Sequence, residues 1–217
     1  MGLQKIQASQ GLGRKSAYVA RNRASLVRAA QHVLAQNGPE ASIEQFAHAA
    51  EIAVSTIYKH FQNKDDLIDA AYIEAFRDWQ DWVNPFLLEI KDPIAELIMP
   101  MRIFFRLGKT HPTYAAMFIR NISSTNKHFP QLEEGFTRAT NELIKAKILT
   151  VENPAIRLRS IFACINAGLA NQLLNPAAKD SDADVSVEVI LGILGVSSAK
   201  AKKVAYARLP NLNSSIT

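Results

Sequence analysis

An all-α protein is predicted, and three features of the sequence predict it. Apolar residues recur every three or four positions along most of the chain, the period of a helix rather than the alternation of a strand. Nine glycines and nine prolines in 217 residues are too few for the many tight turns of an all-β chain. The long stretches between them are rich in Ala, Leu, Ile, Gln, Glu, Lys and Arg, which favour helix.

Residues 1–20 are polar, carry glycines and lack periodicity, so they are expected as a flexible basic arm. The first helix is predicted over 21–37, with Leu26, Val27, Ala30, Val33 and Leu34 on one face. Asn37-Gly38-Pro39 stops it, because glycine suits the position just past a helix end. Ser42-Ile43-Glu44-Gln45 has the form of a capping box, in which the Ser42 hydroxyl accepts from the Gln45 amide and the Gln45 side chain reaches back. It opens a helix over 43–50; a break at Glu51-Ile52 leads to a third helix over 54–60. Asn63 is placed to cap a long helix over 64–83, with Asp65 and Asp66 in the first turn, where the helix dipole favours acids. Tyr72, Phe76, Trp79 and Val83 form its apolar stripe. Further helices are predicted over 92–109, 112–125, 130–149, 153–175 and 184–196, punctuated by Pro93, Pro112, Pro130, Pro154 and Pro176. Pro100 falls inside the first of these and should kink it. Residues 198–217 are expected as a tail or short helix, the basic run Lys200 to Arg208 being its candidate.

Charge is unevenly placed. Residues 1–64 hold eight basic and three acidic residues, whereas 65–217 hold seventeen of each. The whole net charge of +5 therefore lies in the first third, which suits a polyanion partner and equally a solvated basic tail. Cys164 is the only cysteine, so no internal disulfide can form and a reducing, cytoplasmic compartment is expected. No run approaches the ~18 apolar residues of a membrane span, and no apolar leader opens the chain; no membrane partner is expected.

Enzyme chemistry finds little support. The histidines at 32, 48, 60, 111 and 128 lack metal-ligand spacing, and there is no phosphate-cradling glycine loop, nucleophile elbow or His-Glu-x-x-His. No catalytic residue, metal or cofactor is expected, and Cys164, set among apolar residues, reads as a small buried hydrophobe.

The second and third helices are too short to persist alone in water, but packed together with a tight turn between them they make a helix-turn-helix, whose second helix fits the major groove of DNA. The residues here are specific: Ser42-Ile43-Glu44-Gln45-Phe46-Ala47, Ala50, Thr56-Ile57-Tyr58-Lys59-His60-Phe61 and Lys64-Asp65-Asp66-Leu67, with Ala29-Ala30, Leu34 and Gly38 upstream. Over about 23–68 this pattern resembles the N-terminal signature of the tetracycline-repressor (TetR) family; beyond it only helix number and length agree. The resemblance implies a DNA-binding domain over 21–65 and a helical ligand-binding and dimerisation domain over 66–197. It also implies a regulator, by family default a repressor, binding a near-palindromic double-stranded operator as a homodimer.

Roles follow residue by residue. Phe46, Ala47, Ala50, Ile52, Ile57 and Phe61 should form the small core. By resemblance Tyr58 reaches a phosphate, Thr56 and His60 touch the backbone or hold the helix junction, Lys64 adds a charge contact, and Ser42 caps its helix and touches a phosphate. Val54, Ser55 and Lys59 face the groove, where Val54 suits a thymine methyl and Lys59 a guanine or a phosphate. Arg14, Lys15, Arg21 and Arg23 suit an arm along the backbone. Two positions depart from the family pattern. Glu51 stands where the turn glycine is usual, and Ala53 where the serine cap of the recognition helix is usual. Both weaken the case for tight DNA binding, and they keep open a helical ligand-binding or protein-interaction protein that has lost operator specificity.

In the larger domain, Trp79, Trp82, Phe86, Met101, Phe104, Phe105, Met117, Phe118, Asn121, Phe136 and Asn166 are candidates to line a pocket for a small apolar or aromatic effector, although each also suits plain core packing. Two stripes are candidates for dimerisation: Leu158, Ile161, Phe162, Ile165, Leu169 and Leu173, and Val185, Val189, Ile190, Ile193 and Leu194. The alternative is that both stripes bury within one chain.

Overall fold

The computed structural model describes residues 3–120 and 130–212, with side chains over 19–120 and 133–212. The described residues form eleven α-helices and no strand. They are α1 (Leu3–Asn37), α2 (Ile43–Ala49), α3 (Val54–Ile57), α4 (Lys64–Val83), α5 (Pro93–Phe104), α6 (Leu107–Thr110), α7 (Pro112–Arg120), α8 (Pro130–Lys145), α9 (Pro154–Leu174), α10 (Asp180–Ile193) and α11 (Ser198–Ala205). A 3-10 turn over Asn84–Leu87 follows α4.

The local rules operate where the sequence places them. The capping box is complete: Gln45 N–H donates to Ser42 Oγ at 3.4 Å and Ser42 N–H donates to Gln45 Oε1 at 2.8 Å. Asn63 Oδ1 accepts from the Asp66 amide at 2.8 Å and so opens α4. Gly38 ends α1 with φ of 75°. Asp92, unremarked in the sequence, caps α5 through Oδ1, which accepts from the amides of Ile94 and Ala95.

Other boundaries differ from expectation. The segment expected as a flexible arm is helical from Leu3, continuous with α1; its glycines at 11 and 13 are outweighed by Leu, Gln, Lys, Ala and Arg around them, all good helix formers. α3 is four residues long, and its path to Phe61 is completed by turns, with His60 N–H and Phe61 N–H both donating to the Ile57 carbonyl. The helix expected over 92–109 is broken at Phe105-Arg106 into α5 and α6, while Pro100 sits inside α5. α8 stops at Lys145, before the left-handed Lys147 (φ 58°). α10 starts four residues early, at Asp180, where acids occupy the first turn and Asp182 Oδ2 accepts from the Lys179 amide at 2.9 Å. The expected end of the 112–125 helix lies outside the described residues. The C-terminal basic helix exists as α11.

One continuous apolar core runs from Leu26 in α1 to Ala205 in α11. α1 packs on α4 and α7; α10 packs on α9, α11 and α5; α8 lies against α5. α4 therefore runs unbroken from the helix-turn-helix into the larger helical body. Two bonds tie the two: Gln31 Nε2 donates to the Ala71 carbonyl at 3.2 Å and Arg120 Nε to the Ala35 carbonyl at 2.8 Å; within the body Tyr72 OH donates to the Met117 carbonyl at 3.1 Å.

The body also holds a buried charge cluster. Arg102 is 2% exposed, and Arg106 is buried beside it. Both face Asp184 Oδ1 from α10, at 3.5 and 2.8 Å. Arg102 also donates to the Ala207 carbonyl at 2.6 Å, and Lys200 of α11 pairs with Asp92 at the head of α5. Burial lowers the Arg102 guanidinium from its ordinary value, and Asp184 opposes that. These bonds fasten α5 to α10 and the C-terminal segment.

Candidate nucleic-acid interface and ligand cavity

α2 and α3 carry the first candidate site. Phe46, Ala47, Ile57 and Phe61 are buried, as expected, whereas Ala50 and Ile52 are half-buried at the turn. That core leaves one face of α3 and of the turn that follows it outward: Ser55 and Lys59 are exposed, Tyr58 is 51% exposed, and Val54, Thr56 and His60 are half-buried. Ser42, also exposed, stands at the start of α2. The Glu44 carboxyl is held below its usual range by a backbone hydrogen bond and by Ser42.

Lys64 differs from expectation. Its Nζ donates to the carbonyls of Pro39 and Ala41, both at 3.2 Å, so its charge braces the α1–α2 loop. Arg23 is also engaged, its guanidinium 4.9 Å from the centre of the Phe61 ring. The side chains of Arg14 and Lys15 lie outside the described residues. Both departures from the family pattern have structural signatures. Glu51 has φ of 54°, the left-handed region that favours glycine, and Ala53 caps α3 with no side-chain bond.

The second candidate site is a cavity of about 370 Å³ between α4, α5, α8 and α9. Four expected residues line it, namely Trp79, Met101, Phe104 and Phe136. Six described ones do not. Trp82 points away, its ring 4.7 Å from His111 and 5.2 Å from Phe86. Phe105 is buried against Gly168, where a Cβ would come within 2.9 Å of its ring. Met117 and Phe118 are buried in the core, Phe118 edge-on to Phe104 at 5.2 Å, and Asn166 is half-buried elsewhere. Asn121 lies outside the described residues.

Reasoning from sequence missed Phe76, Gln80, Val83, Glu96 and Glu142, which also line the cavity. The signal for Phe76 and Val83 was present, since they share the α4 stripe with Trp79. Phe162 and Ile165, expected at a dimer interface, face the cavity instead.

Most of the two dimer stripes points inward. Leu158, Ile161, Ile165, Leu169, Ile190 and Leu194 are buried in this chain; Phe162, Leu173 and Ile193 are half-buried against the core. The outward face of α9 and α10 is offset from them by one or two residues. It holds Ile156 (58% exposed), Ala163, Ala167 and Leu174 on α9, and Val185 and Val189 (51%) on α10. Val185 and Val189 thus remain available from the expected set. Cys164 is half-buried.

Between α4 and α7 lies a small polar group. Tyr114 OH donates to Asp78 Oδ2 at 2.9 Å, and burial together with that carboxylate pushes its phenol well up. His111 stacks on Tyr114, and burial lowers its pKa, with Asp78 opposing. Among the described residues, no helix is long and apolar enough to cross a membrane, and no cluster of His, Cys, Asp and Glu is placed to hold a metal ion.

The chain sets a helix-turn-helix on a helical body that holds a cavity. Residues 26–71 match the family model of bacterial regulatory proteins, tetR family, so this segment carries a TetR-type DNA-binding domain. Comparison with curated proteins finds no match. Among solved structures, RolR in complex with resorcinol shares the fold, with 19% identity, 91% of this chain and 99% of that one covered, and a TM-score of 0.71. FadR from Bacillus subtilis in complex with stearoyl-CoA is similar at 18% identity, 78% and 96% coverage, and a TM-score of 0.64. The fatty acid degradation regulator FadR from Bacillus halodurans is 18% identical over 87% and 97%, with a TM-score of 0.60.

Proposed function

We propose that this protein is a ligand-responsive repressor that binds a near-palindromic operator as a dimer and is released by a small effector held in the cavity. The observation that carries the reading is the outward face of α3. Ser55 on α3, and Tyr58 and Lys59 in the turn that continues it, stand exposed opposite buried Ile57, the face a groove-reading segment presents. Val54 and Ser55 read base edges; Tyr58, Thr56, His60 and Ser42 hold phosphates and the helix junction. Lys59, exposed just after α3, is a cation that meets DNA, and Lys64 acts by bracing the loop rather than by reaching DNA.

Residues 21–65 are the reading head and 66–197 the effector and dimerisation body. The dimer surface is the outward face of α9 and α10, because two recognition helices must stand about one DNA turn apart, ~34 Å, to meet both half-sites. The effector acts by favouring one spacing of the heads, which requires different affinity for the two states. α4 is the mechanical link, reaching from its cap at Asn63 to the cavity wall at Trp79 and Val83.

Binding of the purified protein to DNA from upstream of its own gene, against scrambled DNA across a salt series, tests this. Sequence-dependent binding with a steep salt slope is expected. A second reading, a ligand-binding protein without operator specificity, is favoured by the left-handed Glu51 and the uncapped Ala53. Equal weak binding to every sequence in a genomic selection would establish that reading and refute the repressor.

A further inference from the structure

The cavity has two ends of different chemistry. Trp79, Val83, Met101, Phe104 and Ile165 are buried and make its floor, whereas Gln80, Asn84, Glu96 and Glu142 are exposed and make its mouth. Glu96 stands on α5 and Glu142 on α8, the two helices that flank the opening. Among the described lining residues none is Lys, Arg or His. The walls supply five aromatic rings, from Phe76, Trp79, Phe104, Phe136 and Phe162. Pro100, also in the wall, has no N–H to give to the Glu96 carbonyl, so α5 leaves a backbone acceptor without its helical donor there.

Both charged groups in this inventory disfavour an anion. A carboxylate ligand would lose its hydration without gaining a cationic partner, and two glutamates would repel it. A cation meets the reverse: ring faces attract it, and carboxylates at the mouth pair with it.

We infer that the effector is a lipophilic organic cation, its aromatic body seated against Trp79, Phe104 and Phe136 and its positive charge held at the mouth between Glu96 and Glu142. The inference rests on the cavity being the effector site. It narrows the sequence-based expectation of an apolar or aromatic ligand by adding a charge.

The test is calorimetric titration of the full chain, without DNA, using three probes that share a naphthalene ring: (2-naphthylmethyl)trimethylammonium, 2-naphthaleneethanol and 2-naphthylacetate. The ammonium probe is expected to bind at least tenfold more tightly than the alcohol, ~1.4 kcal/mol, and the acetate most weakly. The pair Glu96→Gln with Glu142→Gln should bring the ammonium probe to the alcohol's affinity and leave the alcohol unchanged. Both positions are exposed, so the fold is not at risk. Filling the floor with Ile165→Trp should abolish binding of all three. Alcohol or acetate binding as tightly as the ammonium overturns the cationic effector while leaving the cavity as the effector site. Absence of binding by every probe overturns both.

Discussion

Replacing Glu51 by glycine and Ala53 by serine should stabilise the protein and tighten its grip on DNA. Glu51 sits at φ of 54°, where an L-residue with a Cβ is strained by roughly 1–2 kcal/mol and glycine is not. Ala53 has the extended backbone of an N-cap (φ −71°, ψ 147°) but no side-chain oxygen; a serine there gains about 1 kcal/mol. Together the gain is about 2–3 kcal/mol, less any coupling between positions only two residues apart. For a chain of this length each kcal/mol moves the melting temperature by about 2–4 °C, so a rise of roughly 4–12 °C is expected by circular dichroism. Glu51→Gln separates strain from charge: it keeps the left-handed residue and removes the carboxylate. It should leave the melting temperature near that of the parent and still improve DNA affinity. A double variant that melts no higher than the parent would refute the assignment of strain to this turn.

Three other outcomes follow from the body. Asp184→Asn leaves buried Arg102 and Arg106 without a counter-charge and should cost roughly 3–5 kcal/mol, read as a lower urea midpoint; an unchanged midpoint would mean the cluster is neutralised another way. His111 has a folded pKa below its ordinary 6.5 because of burial. The unfolded chain therefore binds the proton first, so stability is full above about pH 6.5 and falls as the pH drops through the folded pKa. His111→Gln should flatten that part of the melting curve between pH 7.5 and 5.5. Val189→Glu places a charge on the outward face of α10 and should convert a dimer to monomer in sedimentation velocity without lowering the melting temperature of the monomer; dimer persisting in the variant would assign the interface elsewhere.

The head was legible from sequence because its signals are local. A capping box spans four residues and a helix cap three, so Ser42, Gln45, Asn63 and the bounds of α4 follow from neighbours alone. The unusual Glu51 and Ala53 could be read for the same reason. The body was less legible because its decisive contacts are long-range. Nothing near Lys64 in the chain says that its ammonium will meet carbonyls more than twenty residues upstream, and an arginine within Ile98–Phe105 gives no hint of a carboxylate on α10. The dimer stripes illustrate a subtler limit. Periodicity finds the most apolar face of a helix, and that face belongs to the core of the same chain. The opposite face of α9 is outward and includes small residues, Ala163 and Ala167, whose signal is faint. Phe162, expected on the outward face of its helix, lines the cavity.

The thickness of α9 has an evolutionary consequence. A helix is about 10 Å across, and the positions that look inward to the cavity (Phe162, Ile165) are interleaved with those that look outward (Ala163, Ala167). Neighbouring codons thus serve separate tasks. Under the proposed function, substitution at 162 or 165 alters which compound is accepted and leaves the outer relief intact, while substitution at 163 or 167 alters which copies associate and leaves the compound unchanged. A duplicated gene can then acquire a new inducer without cross-pairing being rewritten, or stop pairing with its sister while answering to the same inducer.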